Sequence, residues 1–227
     1  MAAQASGKGS KRLTRRELKE DKLIGLAQKF EQYYEENKKV VFSVVAVVLV
    51  VIIAFFIIKG NREKSFEQAS LDLTVAKIMF EMGNLDEAEP QFRALQAQYG
   101  GRIAGEAQYY LARSAFMRGN IDDAESAFRL YLDKYHVDSY LDIAAIAGFA
   151  ACLESREKYT EAAEEYLSIP RKHRKHYFAP EAMFLAAKCY LLANEKDKAI
   201  QTFQLLQRQY PTSALKSKAS KQLAQLR

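Results

Sequence analysis

The residues best suited to chemistry are few. His173 and His176 stand three apart in "PRKHRKHYFAP", a spacing that lets two imidazoles on one helical turn share a metal ion. The same segment carries Arg171, Lys172, Arg174 and Lys175 and supplies no carboxylate or thiolate, so a divalent cation would meet four like charges. A solvated basic loop is the expected role, and His136 stands alone. There is no Gly-rich phosphate loop, His-Glu-x-x-His, Gly-x-Ser-x-Gly or Cys-x-x-Cys pattern. Aromatics do not interleave with a basic patch as single-strand recognition requires, although "RKHRKHY" comes nearest. The residues therefore name no catalytic group, cofactor site or metal site. They point to a non-enzyme without nucleic-acid or small-molecule substrate.

What the chain does contain is a repeat. "GNLDEAEPQF" (83–92), "GNIDDAESAF" (119–128), "EKYTEAAEEY" (157–166) and "NEKDKAIQTF" (194–203) share an alanine followed four residues later by an aromatic. The pairs are Ala88 with Phe92, Ala124 with Phe128, Ala162 with Tyr166, and Ala199 with Phe203, and the alanines recur every 36, 38 and 37 residues. A period of this size marks a helical solenoid. Twelve residues before each stands a second alanine: Ala76, Ala112, Ala150 and Ala187. Two helices approach closely only across small side chains, so each alanine pair reads as the contact between helix A and helix B of one unit, with the aromatic filling the wedge beside it. Gly83 and Gly119 fall between the helices, where a helix end favours positive φ. Asn84, Asn120 and Asn194 suit the same turn, and Glu157 replaces the glycine in the third unit. Cys152 and Cys189 each lie ten residues before their unit's second alanine, at one register position in successive repeats. Stacked helix pairs stand about 10 Å apart, beyond disulfide reach, which predicts two buried, free thiols.

With its Gly-Asn turn, alanines, aromatic, and Tyr99, Tyr135 and Tyr210 (the last followed by Pro211), the pattern resembles the tetratricopeptide repeat (TPR) over residues 66–212 in four units. The large aromatic usual early in helix A is replaced by Asp72, Gln108, Ile146 and Met183. The resemblance implies an all-α solenoid whose helix A residues line a groove for an extended peptide or partner helix. In this register those residues are Leu73, Lys77, Tyr109, Arg113, Phe116, Phe184 and Lys188. Tyr109 and Phe184 are the expected contacts and Lys77, Arg113 and Lys188 the polar orienters; packing between repeats is the competing role for Phe116, Phe184 and Tyr109. The TPR subfamily that clamps a terminal carboxylate uses Lys and Asn at set groove positions, the first of which hold Leu73, Tyr109, Ala147 and Phe184 here, so that activity is not expected. Residues 213–227 place Ala214, Leu215, Ala219, Leu223 and Leu226 near one helical face, which predicts a capping helix.

Ahead of the repeats runs "VVFSVVAVVLVVIIAFFII", residues 40–58, nineteen uncharged residues without Pro or Gly. A helix of that length spans about 28 Å, close to the hydrocarbon thickness of a bilayer, and predicts a single-pass transmembrane helix. Its charged flanks and the 39 residues before it argue against a cleaved signal. Residues 1–39 hold ten Lys/Arg and the twenty residues after the span hold four, which predicts a cytoplasmic N-terminus and a translocated TPR domain. Within residues 14–39, Thr14 and Glu17 have capping-box spacing and Leu18, Leu23, Leu26, Ala27, Phe30, Tyr33 and Tyr34 share a broad face: an amphipathic cytoplasmic helix. Residues 1–13 read as a disordered basic leader, and 59–65 as a linker. The repeat region is polarised, with net charge −7 over 59–170 and +9 over 171–227.

This order of parts resembles the ancillary SecYEG translocon subunit family of bacterial inner membranes. That resemblance implies a scaffold or chaperone-like adaptor beside the protein-conducting channel. Its partners would be the channel, translocated clients and periplasmic chaperones, with the repeats in the periplasm. The alternatives are a structural protein of cell-envelope assembly or cell-division coordination and, with the orientation inverted, a cytoplasmic enzyme accessory subunit.

Overall fold

A computed structural model describes residues 37–226, without the side chains of 58 and 61–64. The expected leader and nearly all of the expected cytoplasmic helix lie outside the described residues. Nine helices and no strand are present among those described: α1 (Lys38–Glu81), α2 (Leu85–Gln98), α3 (Gly101–Met117), α4 (Ile121–Lys134), α5 (Ser139–Ser155), α6 (Tyr159–Lys172), α7 (Ala179–Leu192), α8 (Lys196–Gln209) and α9 (Leu215–Gln225). The chain divides into two compact units, one ending at Lys64 and one beginning at Ser65.

In the first unit, Lys38–Ile57 is a helix long and apolar enough to cross a membrane, and none of it is buried by protein. Its one hydroxyl, on Ser43, donates to the Lys39 carbonyl at 2.8 Å, which leaves no polar side chain of the apolar stretch unsatisfied. Residues 59–65, expected as a linker, are helical, since α1 runs from Lys38 to Glu81. Gly60 is the weakest helix former among them, and one glycine costs about 1 kcal/mol, too little to end a helix.

The second unit is the solenoid. The last turns of α1 pair with α2, then α3 with α4, α5 with α6 and α7 with α8, and α9 closes the array. From α2 onward each helix packs on the next, and α3 also touches α5 as α7 touches α9. All eight register alanines, Ala76, Ala88, Ala112, Ala124, Ala150, Ala162, Ala187 and Ala199, are fully buried, and Phe92, Phe128, Tyr166 and Phe203 are buried beside them. Between the first pair and α3, Phe92 stacks on Tyr110 with ring centroids 5.2 Å apart, and Phe80 meets Tyr110 edge-on at 5.2 Å. Three core clusters follow one another along the array, as expected where each repeat buries its apolar face only on its neighbours.

The four A–B turns share one hydrogen-bond pattern. Gly83, Gly119, Glu157 and Asn194 occupy the same position with φ of +83°, +78°, +61° and +61°. In each, the following amide bonds back five residues (Asn84 to Met79, Asn120 to Ala115, Lys158 to Leu153, Glu195 to Tyr190) at 2.8–3.0 Å, the Schellman arrangement. Of the three asparagines of these turns, Asn194 takes the left-handed position and Asn84 and Asn120 do not. They sit one residue later, with φ near −80°, at the start of helix B.

Candidate functional site

The helix A register delivers the seven expected groove residues to different environments. Leu73 lies in the first core cluster at 4% exposure, and Tyr109 in the second at 8%. Both side chains pack between helices and present little surface. Phe116 and Phe184 are half-buried, and Phe184 leans on Phe203 with centroids 5.5 Å apart. Lys188 is exposed.

Lys77 and Arg113 are tied into the array. Lys77 pairs with Glu106, whose other oxygen accepts from Arg102 at 2.7 Å, and Arg102 reaches Asp138 at 3.8 Å. This chain of charges joins α1, α3 and the start of α5. Asp138 also caps α5, accepting from the amides of Tyr140 and Leu141 at 3.0 Å each. Burial alone would raise the Glu106 carboxyl, but the hydrogen bonds from Lys77 and Arg102 outweigh it and hold the group below its ordinary 4.5. The Arg113 guanidinium lies 4.7 Å from the Phe80 ring centroid and 5.9 Å from that of Tyr109, with Glu81 at 3.6 Å. Burial pushes the Tyr109 hydroxyl up, so it stays protonated, and Arg113 offsets only part of that rise.

Three of the expected residues converge. Tyr109, Arg113 and Phe116 line a pocket of about 200 Å³ between α3 and α5, completed by Met117, Phe128, Ala144 and Gly148. The space depends on Gly148, because a Cβ there would stand 2.3 Å from the Phe128 ring. Thr74, Tyr110 and Leu185 hold the equivalent position in the other units, so the slot is particular to the third. Phe184 and Lys188 belong to α7 and do not contribute. Met117, Ala144 and Gly148 were not singled out from the sequence. The signal for them was a glycine inside "IAAIAGFAACL", an unusual placement in a helix interior. The pocket pairs an apolar floor with one guanidinium at its edge, which suits an apolar side chain next to a carboxylate.

The thiols are buried and free. Burial pushes both Cys152 and Cys189 up to about 12, with Glu125 and Glu154 respectively adding to the rise, so neither is a nucleophile at neutral pH. Among the described residues no group of three or more His, Cys, Asp and Glu side chains is placed to hold a metal ion. His176 instead lies among rings, 5.1 Å from Tyr140 and 4.5 Å from Tyr177.

Two stretches match family models described as tetratricopeptide repeat, residues 76–138 and 181–213. The stretch between the two matches includes the Glu157 turn. No curated protein sequence matches the chain. Among solved structures the chain is similar to a MamA RS-1 double mutant, at 16% identity and TM-score 0.56, covering 70% of this chain and 82% of that one. It is similar to YrrB, described as a TPR protein with an unusual peptide-binding site, at 18% identity and TM-score 0.53, covering 67% and 74%. It is also similar to PilF of Pseudomonas aeruginosa, at 16% identity and TM-score 0.54, covering 70% and 68%. At such identities the likeness shows the fold alone: the second unit is a TPR-like solenoid.

Proposed function

We propose that this tetratricopeptide-repeat chain is a membrane-tethered, non-catalytic adaptor that holds extended apolar segments of other proteins on its helix A face. The observation that carries the reading is the Gly148 slot, where Phe116 and Met117 offer apolar surface over the buried Tyr109 ring and Arg113 offers a charge. An apolar side chain of the client enters the slot. A neighbouring carboxylate on the client takes over Arg113 from Glu81, an exchange made easy because that pair is only 3.6 Å close and partly exposed. The residues 40–58 act as a membrane span, with the N-terminus cytoplasmic and the repeats on the far side of a bacterial inner membrane. Tethering raises the local concentration of the groove at the membrane, so a weak site still captures clients as they emerge. On this reading the span stands beside the protein translocation channel, and the partners are translocated clients and chaperones.

A photo-crosslinking residue at Phe116 and a second at Phe55, each in the full chain in cells, test the two parts separately. Client adducts from Phe116 and channel adducts from Phe55 are expected. Adducts from Phe116 without channel adducts would leave an adaptor elsewhere in the envelope. A reporter fused after Arg227 and active only outside the cytoplasm reads the orientation, and an inactive fusion would reverse it.

A further inference from the structure

The solenoid is closed at one end and open at the other. At its C-terminal end α9 buries Leu215, Ala219 and Leu223 and turns Lys216, Lys218 and Lys221 to solvent. At its N-terminal end the last turns of α1 and the residue after it leave Leu71, Val75, Ile78 and Met82 exposed at 58%, 46%, 55% and 72%, spaced four, three and four residues apart along one side.

The register shows what this face is for. In the later repeats the position of Leu71 is Ala107, Ala145 and Ala182, all buried to within 1%. The position of Ile78 is Ser114, Cys152 and Cys189, all fully buried. There α3, α5 and α7 each receive the preceding helix B: α2, α4 and α6. The repeat-to-repeat interface, formed three times within the array, thus continues onto α1 with no helix of the second unit left to fill it. Leu71 and Ile78 are larger than the Ala, Ser and Cys at their register, so the incoming helix must offer small residues at the crossing.

Charge identifies the border of that helix. The position of Asp72 is held by Gln108 in the next repeat, which accepts a hydrogen bond at 3.2 Å from Gln96 of the preceding helix B. Asp72 accordingly stands where an incoming helix places a donor, and among the described residues its side chain accepts from Gln68 on its own helix, at 2.9 Å. Glu67, one turn before Leu71 and on the opposite flank of the face from Asp72, holds the register of Ile103 and is exposed. A carboxylate facing such a donor selects lysine or arginine.

We infer that the exposed α1 face docks a helix of a second protein, one with a small-residue apolar stripe bordered by lysine or arginine. A second copy of this chain fits poorly. Face-to-face pairing would bring together two copies of a face flanked by the acidic Glu67 and Asp72, and head-to-tail pairing would offer the polar lysine face of α9 to Leu71 and Ile78. Residues 1–36 precede the apolar helix and, on the membrane-spanning reading, lie across the bilayer from this face.

The test uses the full chain in nanodiscs and a stapled synthetic helix of about five turns, with an Ala/Leu stripe bordered by lysines, next to a twin bordered by glutamates. Fluorescence anisotropy should show the lysine helix binding about tenfold or more tightly than its twin. Asp72→Lys should reverse that order, and Val75→Asp should abolish both. Asp72 is half-buried beside the apolar stripe rather than within it, so Asp72→Lys keeps the test decisive if Val75→Asp unfolds, which loss of Cys152 and Cys189 protection from thiol reagents would report. Equal binding of the two helices, an order unchanged by Asp72→Lys, or sedimentation as a dimer that Val75→Asp dissociates would overturn the inference. None of these outcomes depends on the Gly148 slot.

Discussion

The Glu157 turn offers a stability change that can be worked from backbone geometry alone. Its φ of +61° is matched by Gly83 and Gly119 at +83° and +78° in the first two turns. A residue with a Cβ pays about 1 to 2 kcal/mol in this left-handed region. Glycine pays no such penalty but loses about 0.5–1 kcal/mol more backbone entropy on folding. Glu157 is exposed and forms no ion pair among the described residues, so its removal subtracts nothing else. Glu157→Gly is therefore expected to stabilise the solenoid by about 0.5–1 kcal/mol, which for a domain of this size raises Tm by about 1–4 °C. Gly119→Ala, the reciprocal change at the same register, should lower stability by about 1 kcal/mol. Thermal unfolding of the full chain followed by far-UV circular dichroism measures both. A lower Tm for Glu157→Gly, or an unchanged one for Gly119→Ala, would refute the assignment of a common strained turn.

The Ser114 hydroxyl is fully buried with no hydrogen-bond partner, at a register held elsewhere by Ile78, Cys152 and Cys189; Ser114→Ala should stabilise by about 1 kcal/mol in the same assay. Phe203→Ala should cost about 3–5 kcal/mol, because Phe203 is fully buried between α7, α8 and α9. The thiols of Cys152 and Cys189 should react with a maleimide only as fast as the solenoid opens, and labelling within seconds in the native state would contradict their burial. Glu106 binds its proton less readily folded than unfolded, so it adds stability above its ordinary 4.5, and that contribution is lost as pH falls through the lower folded value. Glu106→Gln should flatten the acid limb of stability against pH, and an unchanged limb would count against the Lys77–Glu106–Arg102 network.

The repeat was legible because it rests on size. Alanine at two positions twelve apart is what two crossing helices require, and the aromatic four residues on fills the space left beside them, so all twelve packing residues are buried. The turns were only half legible. Glycine announces positive φ at 83 and 119, but Glu157 adopts it because the Schellman hydrogen bonds on both sides fix the backbone whatever residue stands there. The groove was least legible. Register alone places Leu73 and Tyr109 on helix A, but burial is decided by what each meets on other elements: Leu73 packs in the cluster with Phe92 and Ile103, and Tyr109 meets the Phe128 ring. The arginines that tie neighbouring repeats together were missed as well. Arg118 donates to Asp86 at 2.5 Å and Glu89 at 2.8 Å, and Arg156 pairs with Asp122 at 2.8 Å and Glu125 at 2.9 Å. Their signal is a matched change along the register. In the next repeat Ala193 replaces the arginine where Thr160 and Ala163 replace the acids, and Thr160 instead donates to Glu195 at 2.5 Å.

The slot beside Gly148 is where the proposed function stands most open to direct test. A fluorescent Ser/Gly peptide bearing one leucine next to an aspartate, titrated against the full chain in nanodiscs, reads its occupancy by anisotropy. Ala144→Phe fills the slot from α5 without touching Arg113. The adaptor reading predicts saturable binding that weakens about tenfold or more in Ala144→Phe, and by a similar factor when the peptide's leucine is replaced by serine. Binding unchanged by Ala144→Phe, in a protein whose helical content and thiol protection match the original, would contradict it.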